Sequence, residues 1–279
     1  MSRSAIPWAA IRLACQVPFP GRFRLVDRLV PHLATERRVR GLIGARTRVD
    51  LDLRRFEQRH IYFGLHEPDE TAVIRNMLRP ADTVLDVGAH IGYYSLLAAE
   101  RVGPTGVVHA FEPVEENLAT LLSSARLNGY QNIVGRCAGV SDKSGGSITV
   151  TAPIGAPSPG SASMWRRVDE RTVSYSAPTV GLDDYVAEHR IDRIAFLKMD
   201  VEGAEPLVLR GADRLLRRPD GPAVLCEINP AWLRLAGSSG EAIVAFLKER
   251  GYTIHRAQSR RLEPVDGDRP LPLNIIALK

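Results

Sequence analysis

The 279 residues are 44% hydrophobic and 25% charged, which suits one large globular domain with an extension and excludes a disordered chain. No run of about 18 apolar residues occurs, which excludes a membrane-spanning helix. The net charge of +5 is unevenly placed: residues 1–60 hold 13 Arg and 5 acids, a net of +8, and the remainder sums to −3.

In chain order, Ile6 to about His32 mixes apolar and basic residues and predicts two short helical pieces separated by Pro18, Pro20 and Gly21. An Arg-rich amphipathic stretch of this kind suits an anionic membrane surface, but is more commonly a helical cap packed on the domain or on a second subunit. Residues 1–66 are read as this basic, partly helical extension and 67–279 as the main domain. Val49-Asp50-Leu51-Asp52-Leu53 alternates as a strand does, and a helix is expected from about Glu70 to Leu78, ending before Pro80.

The central stretch is Thr83-Val84-Leu85-Asp86-Val87-Gly88-Ala89-His90-Ile91-Gly92-Tyr93-Tyr94, a β-branched run that ends in an acid, crosses two glycines and enters a helix reaching about Arg101. Gly88 can take a positive φ or admit a ligand to the backbone, and Gly92 lets the helix pack on its strand. The middle glycine of the dinucleotide fingerprint is absent. Asp86 at the strand's end repels phosphate and attracts ammonium or sulfonium, so the expected ligand is adenosyl and cationic. Twenty residues beyond Gly92, a second strand, Val107 to Phe111, ends at Glu112, whose carboxylate can accept both hydroxyls of a ribose.

A helix is expected over Glu115 to Leu127, closed by Asn128-Gly129, then a third strand over Asn132 to Cys137. The region from Ile148 to Val180 breaks the alternation with a strand at Ser147 to Thr151, a loop over Pro153 to Ser163 and a strand over Thr172 to Val180. A loop inserted into such a scaffold is where ligand recognition is expected. Leu182 to His189 is a short helix in which Asp183 caps or braces. A fourth strand (Arg193 to Asp200), a helix (Ala204 to Leu216), a fifth strand (Ala223 to Ile228) and a helix (Glu241 to Arg250) follow, with Thr253 to Arg256 and Asn274 to Leu278 as a final antiparallel pair. Strands alternating with helices imply a mostly parallel sheet with its ligand beyond the strands' carboxyl ends.

Cys15, Cys137 and Cys226 are odd in number and show no metal spacing; the strand-like surroundings of Cys137 and Cys226 predict buried thiols. A reducing compartment and, with no recognisable signal peptide, a cytoplasmic location are expected, peripheral to the inner membrane surface if the extension meets lipid.

Asp86-Val87-Gly88-Ala89-His90-Ile91-Gly92, Phe111-Glu112-Pro113, Leu197-Lys198-Met199-Asp200-Val201-Glu202-Gly203-Ala204-Glu205 and Cys226-Glu227-Ile228 together resemble the FkbM family of S-adenosylmethionine-dependent methyltransferases, over roughly Glu67 to Lys279. The resemblance implies a Rossmann-like class I methyltransferase fold with a seven-stranded, mostly parallel sheet, helices on both faces and, here, an N-terminal helical extension. It implies S-adenosylmethionine bound by Asp86, Gly88, Ala89, His90, Gly92 and Glu112, with an acid in the region of Asp142 near the adenine, although Asp142 also suits a plain turn. His90 departs from the Asn more usual in the family. Tyr62 and His66 fall where related enzymes place a lid, although the stretch also suits a plain surface turn, and Ser161-Ala162-Ser163-Met164 resembles the family's serine-rich segment.

Lys198, Asp200, Glu202 and Glu227 fall at or near the ends of the fourth and fifth strands, with Lys198 and Asp200 on one face and Met199 opposite. Methyl transfer to an alcohol needs alignment and removal of the hydroxyl proton. Asp200 suits orientation of the acceptor hydroxyl or of the cofactor's ammonium, and Glu202 or Glu227 suits the base. The same acids suit a divalent metal, magnesium in preference to zinc. The expected reaction is O-methylation of a sugar, glycolipid or polyketide-type hydroxyl. Alternatives are methylation of nucleic acid, disfavoured by the acidic main domain, or of an amine; a nicotinamide-dependent oxidoreductase, disfavoured by the missing glycine; and a non-catalytic adenosyl-binding module.

Overall fold

The computed structural model describes residues 12, 15, 21–33, 38–43, 46–154, 162–169, 171–265 and 270–279. The earlier of the two expected N-terminal helical pieces lies almost wholly outside them; the later one is α1 (Arg22–Leu33). A hairpin of β1 (Arg38–Ile43) and β2 (Thr47–Asp52) follows, with Val49 and Leu51 buried and Arg48 and Asp50 exposed as the alternation predicts. α2 (Phe56–Phe63) and α3 (Pro68–Met77) then lead into the central sheet. The hairpin is bound to the body of the domain, since the Arg48 amide donates to Asn128 Oδ1 at 2.8 Å and the Thr47 hydroxyl meets Glu100 and Tyr130.

The sheet runs in the order β12-β11-β13-β10-β9-β3-β4-β5. Its parallel part is β3 (Thr83–Val87), β4 (Val107–Phe111), β5 (Ile133–Arg136), β9 (Phe196–Met199) and β10 (Ala223–Glu227); β11 (Thr253–Gln258) and β13 (Asn274–Leu278) form the expected antiparallel pair. Alternation sends Leu85, Val87, Leu197, Met199, Val224 and Cys226 into one core and Val84, Phe196, Leu225 and Ile276 into another on the opposite face. The crossover helices α4 (Tyr93–Val102) and α5 (Glu115–Leu127) follow β3 and β4 as expected. Helices α6 (Leu182–Glu188), α7 (Glu205–Gly211), α8 (Asp213–Arg217), α9 (Pro230–Leu235) and α10 (Gly240–Lys248) complete the set. A small second sheet, β6-β8-β7, is made by Gly139–Val140, Thr172–Val180 and Ser147–Pro153. Among the described residues no helix is long and apolar enough to cross a membrane.

Three details differ from the sequence reading, each for a physical reason. An eighth strand, β12 (Arg261–Pro264), pairs with β11 through a two-residue turn in which Ser259 and Arg260 both take positive φ. That turn lacks the Asn-Gly signal of such hairpins and is held instead by Asp69, whose carboxylate accepts both turn amides at 3.1 and 3.0 Å. The helix expected over Ala204 to Leu216 is two helices broken at Ala212, because the Asp183 carboxylate accepts the first-turn amides of Arg214 and Leu215, both at 2.8 Å. Cys137 is exposed rather than buried, since β5 is the sheet's edge strand; Cys15 and Cys226 are buried.

Asp183→Ala is expected to cost about 1–2 kcal/mol by removing the acceptor of two helix-start amides, measured as a lowered urea midpoint with unchanged slope.

Candidate active site

Beyond the carboxyl ends of β3, β4, β9 and β10 lies a cavity of about 390 Å³. Its floor begins at the turn after β3. Gly88 has φ +75°, and a Cβ there would lie 1.9 Å from the Asp200 carbonyl oxygen, so only glycine allows the two strand ends to meet. Gly92, with φ +94°, sits against Leu121 and serves helix packing; it does not line the cavity. His90 has φ +51°, a left-handed conformation in which Asn and His are both enriched. The amides of Gly88 and Ala89 donate to the Phe111 carbonyl, tying this turn to β4.

Glu112, at the end of β4, is 5% exposed. Its carboxylate accepts from the His90 amide at 2.8 Å, the Val114 amide at 3.0 Å and Asn117 Nδ2 at 3.3 Å. Burial raises its pKa and these hydrogen bonds oppose the rise. His90 presents Nδ1 to Glu57 at 3.3 Å and leaves Nε2 buried without a partner. Burial lowers its pKa to about 4, so the ring is neutral.

Asp86 is not where the sequence reading put it. It is 1% exposed, lies outside the cavity wall, and accepts from Ser95 Oγ at 2.5 Å. β3 and β9 pair in a register that sets Asp86 opposite Lys198, and the carboxylate lies 3.5 Å from that ammonium. Lys198 also donates to the Gly88 carbonyl at 2.8 Å and stands 3.7 Å from Asp200. Burial alone would discharge it, but the carboxylates of Asp86 and Asp200 outweigh burial and hold it well above the ordinary lysine value.

Asp200, Glu202 and Glu227 do converge on the cavity. Glu202 adopts φ +51° and leaves Oε2 buried without a hydrogen bond. Burial, with Asp200 and Glu205 nearby, raises its pKa to about 8. Glu227 is pushed far higher by burial and by the charges of Asp200 and Glu202, so it keeps its proton at neutral pH. Glu205 caps the same turn through the Val201 amide at 3.0 Å, with its pKa raised to about 7 by burial. Among the described residues no three His, Cys, Asp or Glu are arranged to hold a metal ion, so the magnesium expectation finds no support.

Asp142 does not join the others. It is exposed beyond β6, its neighbours Ala138, Gly139 and Val140 line the cavity in its place, and its Oδ1 accepts from Ser141. Tyr62 does not either: α2 turns Phe56, Glu57, His60 and Ile61 toward the cavity, while Tyr62 packs between two core clusters. His66 lines the cavity as expected, with its ring 4.5 Å from that of Tyr93.

The sequence reading missed the roof and one deep acid. Asp27 of α1 accepts from Arg59 Nη2 at 3.1 Å and His60 Nε2 at 3.0 Å, fixing α2 over the cavity. Glu67 lines the cavity and accepts from the Tyr94 hydroxyl and, at 3.0 Å, Asn274 Nδ2. Burial opposes its ionisation, but His66 and these two donors overcome it and lower its pKa. An acid directly before a proline that starts a helix was the available signal. From the insertion, Ala162 and Met164 reach the cavity; between them, buried Ser163 donates to the Glu202 carbonyl at 2.8 Å.

A model of the methyltransferase FkbM domain matches residues 86–254. The 31-O-demethyl-FK506 methyltransferase FkbM of Streptomyces tacrolimicus is 31% identical over 206 residues, covering 63% of this chain and 75% of that protein. The chain belongs to the FkbM methyltransferase family. Among solved structures, an FkbM methyltransferase of Methylobacillus flagellatus aligns at 18% identity and a TM-score of 0.43, covering 79% of this chain and 54% of that one. The fibrillarin of Aeropyrum pernix with bound S-adenosyl-L-methionine aligns at 14% identity and 0.41, covering 75% and 72%. At these scores the fold rests on the observed sheet, five parallel strands in the order β5-β4-β3-β9-β10 with antiparallel β13, β11 and β12 beyond them.

The cavity suits the methyl donor of such an FkbM enzyme, S-adenosylmethionine, a sulfonium that also carries an ammonium and a ribose. Carboxylates of Glu67, Glu112 and Asp200 line the wall with a single lysine, a surplus of negative charge that favours a cation. The open Gly88 backbone gives room for close approach.

Carboxyls with raised folded-state pKa values stabilise least where the unfolded chain would release their protons. Their contribution is full below the ordinary value of about 4.5 and is lost as pH rises through about 8 for Glu202. Glu227→Gln is therefore expected to raise the melting temperature at neutral and alkaline pH and flatten its decline, with little effect in acid; scanning calorimetry across pH reads it.

Proposed function

We propose that the protein transfers a methyl group from S-adenosylmethionine to a hydroxyl of a polyketide-like, sugar or glycolipid acceptor, with Glu202 as the base. The observation that carries this reading is Glu202 itself: a cavity carboxyl with one unpartnered oxygen and a pKa raised to about 8. An ordinary carboxylate is too weak a base for an alcohol, and raising its pKa toward the working pH narrows that gap. The polyketide-type acceptor is supported by the name of the Streptomyces tacrolimicus relative.

S-adenosylmethionine, when bound, supplies an electrophilic methyl group on a good leaving group. The chain's residues do the rest. Glu112, already braced by three donors, accepts the ribose hydroxyls. Glu67 and the Gly88-Ala89 backbone form the remainder of the donor's cradle. Lys198 stays protonated and holds Asp200 in place, and Glu227 keeps its proton beside the same carboxylate. Asp200 thus presents an oriented oxygen to the acceptor hydroxyl, while Glu202 takes the proton as the oxygen–carbon bond forms. Ile148, Val150, Ala162 and Met164 supply an apolar wall for the acceptor's body.

Calorimetric titration with S-adenosylhomocysteine should show binding that Glu112→Ala weakens by about 1–3 kcal/mol, the cost of lost charge-assisted hydrogen bonds; unchanged affinity would remove the ribose assignment. With a hydroxylated acceptor, Glu202→Gln should lower kcat by about 100-fold or more at unchanged cofactor affinity. The parent's rate should climb with pH through about 8. A fully active variant would place the base elsewhere.

A further inference from the structure

We infer that α1 and the start of α2 form a surface that seats this protein on an anionic lipid bilayer. α1 is apolar on two sides. Val26 and Val30, one turn apart, are buried against Leu53, Phe63 and Leu65. Leu25 and Leu29, also one turn apart, form a second ridge that is 43% and 48% exposed. A helix that serves only as a cap has no need of this second ridge, since its outer face meets water. Arg24 and Arg28 run beside it, both exposed, and neither guanidinium has an ion-pair or hydrogen-bond partner among the described residues. The one acid of the helix, Asp27, is turned inward to Arg59 and His60.

The patch continues to the cavity. Phe23 and Phe56 are 40% and 45% exposed, and their rings lie 5.6 and 4.2 Å from that of His60. Phe56 and His60 both line the cavity wall, so the apolar patch reaches the rim.

Charge selects the occupant. Residues 1–60 carry 13 Arg against 5 acids, and the acid that α1 contributes is consumed internally. Exposed aliphatic and aromatic side chains interleaved with unpaired arginines match the acyl–headgroup boundary of an anionic membrane, where leucines bury and guanidinium groups pair with phosphate. A second copy of this chain would bring a like-charged face to the same surface.

The full-length protein is to be cosedimented with vesicles of phosphatidylcholine alone and of phosphatidylcholine containing phosphatidylglycerol, at low and high salt. Binding is expected only to the anionic vesicles and should fall sharply at high salt. The double variant Leu25→Glu, Leu29→Glu should bind them about tenfold or more weakly, while its affinity for S-adenosylhomocysteine is unchanged, showing that it folds. No binding by the parent, binding by the variant equal to the parent's, or a parent dimer that the variant dissociates without any vesicle binding would each overturn the inference. None of these outcomes bears on methyl transfer, which is read by calorimetry and turnover.

Discussion

One buried ammonium group holds the cavity floor together. Lys198 reaches from β9 to the Gly88 carbonyl, the Asp86 carboxylate and the Asp200 carboxylate, and so joins the end of β3 to the end of β9 through a single side chain. The join is possible only because residue 88 has no Cβ, which lets the backbone of the turn lie against the Asp200 carbonyl. Buried pairs of this kind add little net stability compared with apolar packing, yet removing one member strands a charge. Their value here is positional: the ends of β3 and β9 share one fixed point.

Around that point the cavity gathers acids beyond what its one lysine can neutralise. The excess is resolved in two ways. Some carboxyls remain ionised because a neighbouring charge and hydrogen-bond donors favour it, as His66, Tyr94 and Asn274 do for Glu67. Others keep their protons, as Glu227 does beside Asp200. This division leaves acids of the same chemical type in different protonation states within one site. It also leaves the site complementary to a cation and hostile to a polyphosphate.

Much of this was legible in the chain. The β-branched runs ending in acids, the two glycines and the period-2 alternation around Lys198 located the parallel strands and the convergence of Asp200, Glu202 and Glu227, because those signals are local. What depended on a distant partner was not. Asp86 reads as a ligand acid until β9 is placed beside β3 and Lys198 claims it. The hairpin to β12 needs Asp69, some 190 residues away, to hold two non-glycine residues at positive φ. The roof of Phe56, Glu57 and His60 is an ordinary helical face in sequence, and only Asp27 on another helix fixes its orientation. The resemblance pointed to an acid in the region of Asp142, but that residue is exposed on the solvent side of its turn.

The hydrogen bond from Ser163 to the Glu202 carbonyl has a consequence for changing the enzyme's acceptor. The insertion that brings Ala162 and Met164 to the cavity is latched to the backbone of Glu202, which is held in a left-handed conformation. Grafting a foreign insertion to switch substrates therefore exchanges more than a recognition surface. A graft that drops the serine at this position also removes a tether of the Glu202 backbone, so the loop and the placement of the acid beneath it change together.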